Sequence, residues 1–143
     1  MTKTPIHLWI VGIVSLFWNA GGAFDYVMTR TNAAEYLAAQ PDARLMMLDQ
    51  APLWFGFTWA LGVWFSVIGS LLLLMRSRFA GATFALSLIG LLGSSIYTYG
   101  IADGGSMVAA AGTAAIVFTI AIPVLLVLQW LYARAMTRRG VLR

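Results

Sequence analysis

The residues of this chain able to bind or react inside an apolar environment gather around one stretch, "FWNAGGAFDYVM", residues 17–28. On a helix of 3.6 residues per turn, Ser15, Asn19, Gly22 and Tyr26 share a face, with Asp25 on its flank beside Trp18. One chemistry fits this set: a small polar pocket in which Asn19 hydrogen-bonds a ligand and Asp25 accepts a cation or proton. The plainer alternative has Asn19 bonding a neighbouring helix, Gly21 and Gly22 allowing close packing, and Asp25 hydrated at headgroup level. A second polar group, Ser94, Ser95, Tyr97, Thr98 and Tyr99, ends a later apolar segment. It either walls the same pocket or is simply hydrated at the membrane surface.

Other chemistries lack their residues. The chain has no cysteine and a single histidine, His7. His7 would serve as one axial ligand of a haem or pigment, against the plainer reading of a solvated interfacial histidine. No second histidine, HExxH or carboxylate cluster offers a metal site. The sole lysine, Lys3, lies outside any apolar segment and excludes an intramembrane Schiff base. No nucleotide-binding or nucleophile-elbow glycine motif occurs in context. No catalytic residue, metal or cofactor is therefore expected, and the chain is not read as an enzyme. Bound lipid is the expected small-molecule companion.

The elements that hold these residues follow from hydropathy. Of 143 residues, 61% are hydrophobic and only 10% charged, with a mean hydropathy of +0.85. A soluble domain carries about a quarter charged residues, so a bilayer is the fitting solvent. Four segments reach the ~20 apolar residues that a spanning helix needs: residues 5–28, 52–75, 79–99 and 107–133. The first is too long for the apolar region of a signal peptide and is read as a retained span. Thr4-Pro5 reads as its N-cap and first helical residue. The turn "RSRFA" (76–80) and the glycine-rich "GIADGGS" (100–106) are short connections. The longer one contains Asn32-x-x-Glu35, which has capping-box spacing, and then Pro41-Asp42 opening "ARLMMLDQ". The expected fold is an all-α membrane protein of four antiparallel transmembrane helices. A short interfacial helical segment follows the first, with Leu45, Met46 and Leu48 dipping into the interface.

Charge placement orients the bundle. Lys3, Arg76, Arg78, Arg134, Arg138, Arg139 and Arg143 fall on one side, while Arg30, Arg44 and all five acids fall on or near the other. The positive-inside rule then puts both termini in the cytoplasm. This distribution explains the net charge of +4 without a nucleic-acid partner. The terminal "RAMTRRGVLR" is read as a topology determinant that contacts anionic lipid. Trp9, Trp130 and Tyr132 fall near one interface, and Tyr26, Trp54, Tyr97 and Tyr99 near the other.

Small residues mark helix contacts: Gly62-x-x-x-Ser66-x-x-x-Ser70, Gly90-x-x-x-Ser94-x-x-x-Thr98, Gly81-x-x-x-Ala85 and "AAAGTAA" at 109–115. Gln129 is read as a helix–helix hydrogen bond and Pro123 as a kink. Trp18, Trp59 and Trp64 are assigned to packing and lipid contact in preference to an apolar groove.

The runs "WNAGGAFDYVMTRTNAAEYLAAQP" (18–41) and "WALGVWFSVIGSLLLLMRSRFA" (59–80) resemble a group of small four-span bacterial inner-membrane proteins, some bearing the automatic label "sugar transporter". The resemblance implies a bacterial cytoplasmic membrane and singles out Trp18, Asn19, Gly22, Asp25 and Tyr26. It implies no catalytic residue. The leading functional expectation is a non-enzymatic accessory subunit, joined to other membrane subunits or to copies of itself. The alternative is a small transporter or binder of a hydrophobic or sugar-like ligand. A lipid-modifying enzyme has the least support, since no nucleophile–base pair is visible.

Overall fold

The computed structural model describes residues 4–143; Lys3, counted in the charge distribution above, lies outside them. The described residues form helices and no strand. These are α1 (Ile6–Arg30), α2 (Ala34–Ala38), α3 (Asp42–Asp49), α4 (Leu53–Leu74), α5 (Ala80–Ser95), α6 (Gly104–Ala110) and α7 (Thr113–Arg138). A π-helical stretch, Ile96–Ile101, continues α5. Four helices of 22 to 26 residues are long and apolar enough to cross a membrane: Ile6–Arg30, Leu53–Leu74, Ala80–Ile101 and Thr113–Arg138. At 1.5 Å per residue they measure about 33–39 Å, against ~30 Å of hydrocarbon.

Polarity in this fold is turned outside in. Ser15, Asn19, Ser66, Ser70, Ser87 and Gln129 are buried, while Ile10, Val14 and Phe17 of α1 and Ile120, Val124 and Leu128 of α7 are exposed. In water such a surface would aggregate. In hydrocarbon it is solvated, and the polar groups satisfy one another inside.

Prolines start three helices. Pro5, Pro41 and Pro52 precede α1, α3 and α4 in extended backbone, with no side-chain cap. Thr4 therefore caps nothing, and α1 begins at Ile6. The Asn32–Glu35 capping box does not form either. Asn32 takes a left-handed conformation (φ 53°), and α2 starts at Ala34 without a side-chain cap bond. Asparagine tolerates that region better than most residues, so it reverses the chain here. The fourth long helix also departs from residues 107–133. Gly112, at φ 92°, separates α6 from α7, which starts at Thr113 and runs to Arg138. A side chain is strained at such a φ, and glycine has none. Beyond α5, the Ala102 N–H bonds the Tyr97 carbonyl at 2.9 Å, the wider turn that carries the helix past 99.

Helices α4 and α5 meet backbone to backbone. A Cβ on Gly90 would stand 2.2 Å from the Gly62 nitrogen, and one on Gly93 would stand 2.6 Å from Thr58. Ser87 Oγ donates across to the Gly62 carbonyl. Within the Gly62–Ser66–Ser70 stripe the roles divide: Gly62 admits α5, while Ser66 and Ser70 face Asn19 of α1. Leu74 fills the space left by Gly12, and Phe84 that left by Gly69.

The apolar core lies at the arginine-rich end, built from Leu8, Leu73, Phe84, Leu126 and Met136 with Val141 and Leu142. The basic terminal segment is thus anchored. After Gly140 (φ 69°) the chain turns inward, the Arg143 N–H bonds the Arg76 carbonyl at 2.8 Å, and the Arg78 N–H bonds the Arg143 carbonyl at 2.9 Å.

Candidate ligand cavity between the long helices

At the middle of the bundle, Asn19 ties three helices. Its Nδ2 lies 2.9 Å from Ser70 Oγ, 3.2 Å from the Ser66 carbonyl of α4 and 3.1 Å from Gln129 Oε1 of α7. The Ser66 carbonyl can only accept, which fixes the amide nitrogen on that side. Ser70 Oγ gives its own proton to the Ser66 carbonyl at 2.9 Å, so it receives one from Asn19. Two amide hydrogens thus serve three acceptors, and Asn19 Oδ1 takes a hydrogen bond from no described residue. Asn19 is only 8% exposed.

Nearer the other end of α1, Asp25 is not simply hydrated. Arg44 Nη2 contacts both carboxylate oxygens at 2.8 Å, and the Tyr36 hydroxyl donates to Oδ1. The Tyr97 hydroxyl donates to the Met47 carbonyl at 3.0 Å. Through these bonds α2 and α3 form a strap across the helix ends. Burial, followed by the hydrogen bond to Asp25, raises the Tyr36 hydroxyl above its ordinary pKa of 10.0. Arg44 and Tyr36 were not picked out by sequence reasoning. They lie 19 and 11 positions from Asp25 on separate helices beyond the reversal at Asn32, so no single helical face links them.

Between network and strap lies a cavity of about 660 Å³. A built Cβ at Gly21 or Gly22 meets nothing within 4 Å, and both glycines line this space. They border open volume, as the pocket reading of this stretch expects and the close-packing alternative does not. Trp18 and Trp59 form part of its wall, where packing and lipid contact were expected. Trp18 pairs with Phe118 of α7 at 5.3 Å between ring centroids. Ser66, Ser87, Ser94, Thr98, Tyr99 and Thr119 supply hydroxyls to the wall.

Other singled-out residues lie behind that wall. Tyr26 packs edge-on against Trp59 and Trp64, at 5.0 and 6.2 Å. Tyr97 is buried against Phe55, and Ser15 is buried one turn before Asn19. Gly90 and Ser70 serve helix contact, while Gly62 and Ser94 also border the cavity. Leu45 lines a second cavity of about 530 Å³ with Arg30 and Asp49, and Leu48 borders both. His7 pairs with Tyr132 in the opposite half of the bundle. No group of three potential metal ligands occurs among the described residues.

The ionised side chains of the cavity wall, Asp25 and Arg44, are bonded to each other. What remains is an uncharged chamber with aromatic walls and scattered hydroxyls, suited to holding a molecule. No family model matches the chain, and neither does any curated protein or solved structure.

Proposed function

We propose that this chain is a non-enzymatic integral membrane protein that binds or carries a small amphipathic molecule in the cavity between its long helices. In this reading the four helices run antiparallel through a bacterial cytoplasmic membrane, with the arginine-rich end and both termini in the cytoplasm. The charge distribution supports the orientation. Helix pairing supports the packing: Gly62 meets Gly90 while Gly69 meets Phe84, and Tyr26 meets Trp59 while Gly12 meets Leu74. The observation that carries the function is the volume left open at Gly21 and Gly22, within the ~300–1,000 Å³ of small-molecule sites. Gly21 and Gly22 are both exposed, so the space beside them is open for a molecule to enter from outside.

The test is a thermal-stability screen of the purified chain against small amphipathic compounds, run beside Gly22→Leu. The leucine side chain enters the cavity without meeting a wall atom near its Cβ. Compounds that raise the melting temperature of the wild type and leave Gly22→Leu unmoved support the reading; a screen in which both respond alike contradicts it.

The accessory or self-associating reading keeps one observation of its own. The small-residue patch from Ala109 to Thr113 is exposed. Co-purification of a stoichiometric partner, lost when Ala110 is enlarged to Phe, would favour it.

A further inference from the structure

Building on the cavity reading, we infer the sense of its hydrogen bonding: the inner end accepts, so the ligand is an uncharged molecule with an apolar body and a hydroxyl or N–H donor at one end.

Three side chains at that end, Asn19, Ser66 and Ser87, have their hydrogens committed. Asn19 Nδ2 serves Ser66, Ser70 and Gln129, leaving Oδ1 unclaimed by any described residue in a side chain more than nine-tenths buried. Ser66 Oγ donates to the Val63 carbonyl at 2.7 Å, and Ser87 Oγ donates to Gly62. Both hydroxyls border the cavity with lone pairs to spare. On the facing helix, Pro123 has no N–H to offer the carbonyl of Thr119, another cavity residue. These acceptors come from α1, α4, α5 and α7, and an acceptor that loses water to an occupant without gaining a donor is costly. A ligand that brings a donor relieves that cost, and one that brings only lone pairs adds to it.

The charge follows from the strap. Asp25 and Arg44 neutralise each other, so neither a cation nor an anion finds an unpaired countercharge on the wall. The body of the ligand follows from Trp18, Phe118, Ile122 and Leu126, which are apolar surfaces around the same end.

The experiment uses two isomers of one formula, 1-nonanol and methyl octyl ether. Both are uncharged and of equal length, and only the alcohol donates. Each is titrated into the full chain in lipid nanodiscs while the tryptophan emission, to which Trp18 and Trp59 contribute, is followed. Gly22→Leu under the same titration sets the background from partitioning into lipid. The expected result is saturable binding of the alcohol at least about tenfold tighter than the ether. That preference shrinks in Asn19→Leu and, where that variant fails to fold, in Ser66→Ala. Equal saturable binding of both isomers, or preference for the ether, overturns the donor assignment and leaves the cavity as a binding site. Absence of saturable binding by either isomer overturns the donor assignment together with the cavity reading.

Discussion

Asn19 and Gln129, 110 positions apart, share a hydrogen bond of 3.1 Å that joins the first long helix to the last. The same amide holds Ser66 and Ser70 of α4, so one side chain sets the spacing of three helices around the cavity.

Asn19→Leu should therefore loosen the bundle. Interhelical hydrogen bonds in bilayers contribute about 0.6 kcal/mol on average and up to about 1.7. The three contacts together should make the loss about 1–2 kcal/mol in reversible unfolding. A double-mutant cycle with Gln129→Leu should show the two sites coupled; additive losses would mean that the contact carries no energy.

Two glycines that look alike in sequence should respond in opposite directions. Gly90→Ala places a Cβ 2.2 Å from the Gly62 backbone, and overpacking of that kind costs about 1–3 kcal/mol or more. Gly21→Ala meets open space within α1 and should raise stability by up to about 1 kcal/mol through helix propensity. Thermal melts of the two variants in one detergent compare them directly.

The strap should open when its ion pair is removed. The chain has no native cysteine, so a single Met47→Cys reports α3 cleanly. Thiol labelling at that position should quicken several-fold when Arg44→Ala is added. An unchanged rate would show that α3 is held without Asp25.

Alkaline pH should release the same strap. Tyr36 has its folded pKa raised above 10.0, so its stabilising effect is whole below the unfolded value and is lost as pH climbs through the raised one. The difference between wild-type and Tyr36→Phe tyrosinate absorbance should titrate above pH 10. Labelling of Met47→Cys should rise over the same interval.

The four long helices were legible because hydropathy summed over ~20 residues survives any tertiary arrangement. Asn19 was legible as a buried amide in need of partners, and Gln129 as a helix–helix bond. The function of the glycines was not. Gly62 lies against Gly90 and Gly21 against empty space, and only the neighbouring helix decides between contact and cavity. Nor was the strap, because Asp25 and Arg44 meet through a chain reversal at Asn32 that disguised itself as a capping box. Trp18 and Trp59 pack against Phe118, Tyr26 and Phe55 as expected. Their place on the cavity wall was not legible because an aromatic ring suits a cavity wall as well as a packed or hydrocarbon surface.

The most direct measurement is native mass spectrometry of the full chain, released from membranes of its own host under gentle conditions. The cavity account predicts a discrete adduct, one small uncharged molecule per chain, present in the wild type and missing from Gly22→Leu. A wild-type chain that emerges bare, or an adduct that persists unchanged in Gly22→Leu, would contradict it.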